Sequence, residues 1–114
     1  MVISIFAAAK HLAKYSNWSL SNLQIQRLIY LSHMFYMGRN NGERLVHGYF
    51  EASDYGSINP ILYDKLQIYG AEPVGNIFRR YADINGTPEA AILEEAYDAL
   101  GGEPPARLIG ITHR

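Results

Sequence analysis

The chain has 114 residues, nearly half of them apolar and 18% charged, with a formal net charge of −1. That is one domain's worth of sequence with enough apolar content for a core, which excludes disorder and a purely electrostatic grip on nucleic acid or an anionic membrane. There is no cysteine, so disulfides, thiolate nucleophiles and cysteine-based zinc sites are excluded together.

The first helix is expected from Ser4 to about Tyr15, because Ile5, Ala8, Ala9 and Leu12 recur at helical spacing. Ser16 and Asn17 break it. A second helix opens at Ser21, where Gln24 three residues on completes a capping box. From Leu23 to Met37 it has no Gly or Pro and is apolar on most of its circumference, the pattern of a buried central helix. Gly38 is the expected stop, followed by turn residues at Asn40–Gly42. The apolar run Leu28 to Met37 is interrupted by Ser32 and His33 and is too short to cross a bilayer, and Met1 to Ala9 lacks a basic lead; no membrane association and a cytoplasmic location are expected.

Leu45 to Ala52 reads as one or two short strands around Gly48, and Tyr55 to Ile58 as a loop. Asn59 as N-cap and Pro60 at the first helical position start a third helix that Gly70 ends. Ile77, Phe78 and Tyr81 suggest a helical turn, with Arg79 and Arg80 as a local basic spot, and Asn85-Gly86 marks a turn. Thr87-Pro88-Glu89 begins a helix reaching Leu100, and Pro104-Pro105 a last short one through Leu108 and Ile111. The expected fold is mainly α: a compact bundle of about five helices around a buried central helix, with a small β element, in a single domain spanning 1–114.

Certain of these residues resemble, as an ordered set, the Panacea-domain family of SocA-like and GepA-like phage-associated proteins. Ile25-Gln26-Arg27-Leu28-Ile29-Tyr30 falls on the family's L-Q-K-L-L-Y helix, with Arg27 for the usual Lys. Gly42-Glu43-Arg44-Leu45 falls on its G-x-P-L turn. Glu51-Ala52-Ser53-Asp54-Tyr55-Gly56 falls on E-A-W-x-x-G, Pro60 and Tyr63 on P-x-x-Y, and Leu108 to Thr112-His113 on the closing L-x-x-L-T-H. The likeness spans nearly the whole chain. It departs at Ser53, where the family has Trp, and at Ser57, where it has Pro. The resemblance implies an antitoxin-type domain, of one polypeptide chain 1–114, that neutralises a protein toxin or a host or phage effector by direct binding, in some members as an adaptor delivering the toxin to a protease. A phage-encoded binder of a host protein and a DNA-binding regulator are the alternatives.

Residue chemistry points the same way. The four His residues, at 11, 33, 47 and 113, have no metal-ligand spacing, so no metal or cofactor is expected. His33, inside an apolar helix, is expected to be buried and hydrogen-bonded. His113 is expected either to cap the last helix or to serve the partner surface. Arg27, a charge on an apolar helix, calls for a carboxylate partner, Glu51 or Asp54 first. Glu51 and Asp54 have no nucleophile or oxyanion donors assigned beside them, Ser53 has no G-x-S-x-G setting, and Gly38, Gly42 and Gly48 make no phosphate loop, so an enzyme is not expected. Nine tyrosines against four Phe and one Trp suit half-buried and contact positions. The expected partner-binding residues are Arg27, Tyr49, Phe50, Tyr55, Tyr63 and His113, with aromatic and Arg side chains as anchors.

Overall fold

The computed structural model describes residues 1–100. The expected terminal helix, and with it His113, lies outside the described residues. Within them are four α-helices, α1 (Ile5–Tyr15), α2 (Asn22–Arg39), α3 (Pro60–Leu66) and α4 (Pro88–Leu100), and a two-stranded antiparallel sheet of β1 (Glu51–Ser53) and β2 (Gly56–Ile58). The described part is mainly α with a small β element.

Local chemistry sets most helix starts. Ser4 Oγ accepts from the amides of Phe6 and Ala7 ahead of α1. Ser21 accepts from Gln24 N while Gln24 Oε1 accepts from Ser21 N at 2.9 Å, the reciprocal capping box read from the sequence. Asn59 Oδ1 accepts from Leu62 N at the start of α3, and Thr87 Oγ1 from Ala90 N at the start of α4.

Two expectations shift. Gly38 does not stop α2, which runs on to Arg39 and is capped by Asn40. A Gly inside a helix costs only about 1 kcal/mol, and Arg39 repays extension by a bidentate contact to Glu95 on α4, at 2.6 and 3.2 Å. Tyr55 to Ile58 is not a loop throughout: Gly56 to Ile58 is β2, in register Glu51↔Ile58, Ala52↔Ser57 and Ser53↔Gly56. The strand content of the preceding stretch is correspondingly smaller, Val46 making only a parallel bridge to Ile3. Ser53 closes the hairpin, its hydroxyl donating to Gly56 O at 2.7 Å and accepting from Tyr55 N at 3.1 Å. Gly56 has φ +96°, a left-handed conformation that favours Gly.

The core is made by Ile5, Ala8, Ala9 and Leu12 of α1, Ile25, Leu28, Ile29 and Tyr36 of α2, Leu62 and Leu66 of α3, and Ile92, Leu93 and Ala96 of α4, with Leu20, Leu45, Val46, Val74 and Phe78 from the connections. α4 packs on both α1 and α2. Its links to α1 follow in step, His11 with Glu94 at 2.8 Å and Tyr15 with Asp98 at 3.0 Å, so the two helices run side by side in the same direction. The irregular segment 70–87 is held by Val74 N donating to Leu20 O, by Phe78 against Phe6 (5.0 Å between rings), and by Lys10, whose ammonium donates to Tyr81 O at 2.6 Å and pairs with Asp83 at 2.9 Å.

From Ile25 to His33 α2 is buried on every side, Arg27, Leu28 and Leu31 included, with Tyr30 half-buried. It opens in its later turns, where Met34 is 47% exposed and Phe35 41% exposed.

Candidate protein-binding surface

The β hairpin is pinned to the helices by a buried chain of amides. Gln26 of α2 donates from Nε2 to Asn22 Oδ1 and to Asn59 O, both at 3.4 Å, and its Oε1 accepts from Asn59 N at 2.9 Å. Asn59 Nδ2 donates to Tyr49 O at 2.9 Å, and Asn22 Nδ2 to Tyr63 O at 3.4 Å. One α2 side chain thereby fixes the base of the hairpin and the start of α3. Satisfied buried amides of this kind specify one arrangement, since any slip strands a polar group away from water. Sequence reasoning gave Gln26 no structural role and passed over Asn22; their amide type on an apolar helix was the available signal.

On this support the hairpin presents Tyr49 and Tyr55, 56% and 50% exposed. Tyr55 and Tyr63 come together along a cleft of about 280 Å³ lined also by Asn22, Leu23 and Gln67. A second cleft of similar volume and more apolar character lies at the hairpin base between Phe6, His47, Gly48, Asn59 and Ile61. Phe50, grouped with the exposed aromatics in the sequence, turns inward: it is half-buried against the core, edge-on to Tyr30 at 5.2 Å and tilted on His33 at the same distance. It anchors the hairpin. Its neighbour in sequence therefore points outward, as strand-like alternation requires.

His33 is buried, and its Nδ1 accepts from Val46 N at 3.4 Å. Burial, with Arg44 nearby, pulls its pKa below the ordinary imidazole value, which favours the neutral ring that this acceptor role needs. Arg44 in turn donates to Gly48 O. Among the described residues no group of three or more His, Asp or Glu side chains comes together in a way that could hold a metal ion.

Arg27 departs most from expectation. It is 0% exposed, yet Nε, Nη1 and Nη2 have no hydrogen-bond partner among the described residues. Glu51 and Asp54, the expected partners, are both exposed and make no ion pair with it among the described residues. The hairpin is held from its base through Gln26, so its carboxylates have no part in seating it on α2. Burial alone pulls the Arg27 guanidinium well below its ordinary value, down to about 10.

Arg79 and Arg80, the basic spot read from the sequence, are exposed and make no ion pair among the described residues, whereas cations close to them are engaged. Lys10 and Lys14 both reach Asp83, and Asp83 is held below the usual carboxylate range by hydrogen bonds from Lys10 and then Lys14. No helix among the described residues is long and apolar enough to cross a membrane. No family model, curated protein or solved structure matches the chain.

Proposed function

We propose that the protein is an antitoxin-type binding domain that neutralises a protein toxin or a host or phage effector by direct contact through its hairpin face. The observation that carries this reading is the exposure of Tyr49 and Tyr55 on a hairpin locked to the helices by the Gln26–Asn59 amide chain, with Tyr63 completing the adjoining cleft. Exposed aromatics on a rigid support bind at low entropic cost, because little ordering remains to be done when the partner arrives. The ordered sequence likeness to the Panacea-domain family supports the toxin or effector as partner and allows an adaptor role toward a protease. The DNA-binding alternative draws less support from a net charge of −1 and from Lys10, Lys14 and Arg39 being paired with carboxylates, although Arg79 and Arg80 are exposed and make no ion pair among the described residues.

Co-expression with the product of the adjacent gene tests the reading. The intact domain is expected to restore growth and to copurify with that product. Tyr49→Ala with Tyr55→Ala is expected to lose both while keeping the thermal midpoint within about 2 °C, as surface changes do. Growth and copurification that are absent with the intact domain, or unaffected by the double substitution, would overturn it.

A further inference from the structure

α1 carries Phe6, Lys10 and Lys14 along one side, at spacings of four. The turn 77–83 lies against that side. Phe78 is buried on the ring of Phe6, and the ring of Tyr81 stands 5.2 Å from it. Between the two contacts the Lys10 ammonium donates to Arg79 O and Tyr81 O, and Tyr81 N donates back to Phe78 O. The backbone of the turn is thus held from beneath, while the side chains of Arg79 and Arg80 stay exposed. Neither has an ion pair among the described residues, because Lys10 and Lys14 take Asp83 between them.

Phe6 also walls the apolar cleft at the hairpin base, with Ile5 and the 55% exposed Ile61. Among the described residues no carboxylate lines this cleft, and the carbonyl of Gly48 in its wall accepts from the guanidinium of Arg44. An apolar hollow therefore adjoins two free guanidinium groups on a fixed turn, and the ring of Phe6 joins them.

We propose that cleft and turn together dock an acidic segment of a protein partner that carries one large apolar side chain. That side chain fills the cleft beside Phe6 and Ile61, and carboxylates next to it in the partner pair with Arg79 and Arg80. Size and charge both point to this occupant. A cleft of about 280 Å³ sits at the lower end of the ~300–1,000 Å³ typical of small-molecule sites, which suits one side chain better than a whole cofactor. The guanidinium fork matches a carboxylate, and a surface with unpaired cations and no lining acid selects acidic partners. Exposed ion pairs add little affinity by themselves, so the apolar group supplies most of the binding and the arginines the choice of partner. The turn is already ordered by Lys10, so docking loses little backbone freedom. A nucleic acid fits less well. Lys10 and Lys14 are turned to Asp83 instead of extending the cation row that successive phosphates need, and an apolar hollow has little to offer a sugar or phosphate.

This surface goes beyond the hairpin reading and uses neither Tyr49 nor Tyr55, so the two can fail separately. The probe is a fluorescein-labelled peptide with one central Trp flanked on both sides by Asp and Glu, titrated into the full chain and followed by anisotropy. Saturable binding is expected with a dissociation constant of about 100 µM at about 50 mM salt, weakening several-fold by about 300 mM. Arg79→Gln with Arg80→Gln, and separately Ile61→Asp, are each expected to weaken binding about tenfold at unchanged thermal midpoint, since all three positions are exposed. Peptides with Ser in place of Trp, or Asn and Gln in place of the acids, are expected to bind about tenfold more weakly. Tyr49→Ala with Tyr55→Ala is expected to leave the titration unchanged. The proposal is overturned if the peptide does not bind saturably, if the Ser peptide binds as tightly as the Trp peptide, if the double Gln variant keeps full affinity, or if duplex DNA displaces the peptide and so assigns the turn to phosphates.

Discussion

Replacing Arg27 by Met removes a charge that the folded state holds at a cost. Arg27 is 0% exposed and unpaired among the described residues, and burial lowers its pKa by more than two units' worth of proton affinity, to about 10. At about 1.4 kcal/mol per pKa unit, that drop corresponds to roughly 3 kcal/mol of unfavourable charge burial at neutral pH. Met keeps most of the length of the side chain and packs without polar atoms, so Arg27→Met is expected to stabilise the free domain by about 2–3 kcal/mol, with part of the gain lost to imperfect packing. Urea unfolding at pH 7 measures this as a higher midpoint at unchanged slope. The linkage has a definite sign. Because the folded-state value lies below the unfolded one, the unfolded chain binds the proton more tightly, and the Arg27 contribution to stability rises as pH climbs above about 10. The gap between wild type and Arg27→Met therefore narrows as pH climbs. A loss of about 3–5 kcal/mol in Arg27→Met at pH 7 would refute the reasoning, since a loss of that size marks the breaking of a buried ion pair.

Other substitutions address the support of the hairpin. Gln26→Leu keeps the volume but strands Asn59 N in the core, and is expected to destabilise by about 2 kcal/mol in urea unfolding. Gly48→Ala meets two obstacles at once, φ +94° and a Cβ placed 2.8 Å from Asn59 Nδ2, and is expected to cost about 1–3 kcal/mol in thermal unfolding, with loss of the Asn59–Tyr49 hydrogen bond. Burial pushes the Glu89 carboxyl up, but its own backbone amide, the N-terminal amine and the Tyr36 hydroxyl outweigh this and leave it below the ordinary value. A carboxyl lowered in the folded state contributes stability above its unfolded pKa and loses it as pH falls through the folded one. Glu89→Gln is thus expected to be less stable than wild type at pH 7 and to show a smaller drop in urea midpoint between pH 7 and pH 3.

Much of the backbone was legible from short-range chemistry. The Ser21 and Asn59 caps, the Pro60 start and the beginning of α1 at Ser4 all depend on contacts within about three residues, so the chain spells them out in order. The end of α2 was not legible, because the Arg39–Glu95 contact that accompanies its extension past Gly38 comes from 56 residues away. β2 was missed for a similar reason: Gly56, Ser57 and Ile58 have no strand pattern of their own and become a strand only by pairing with Glu51 to Ser53.

At the candidate site the division is sharper. Residue type alone marked Arg27 as anomalous and the Tyr-rich stretch as a contact surface, because a charge among apolar residues and an aromatic with a polar tip are unusual wherever they fold. Only the tertiary structure decided that Tyr49 faces outward and Phe50 inward, that Gln26 reaches Asn59 across 33 residues, and that neither Glu51 nor Asp54 meets the guanidinium. Each of these turns on which side of an element faces which neighbour. A chain of 114 residues states its local preferences one residue at a time, while partner choice between distant segments is settled by the packing of all of them together.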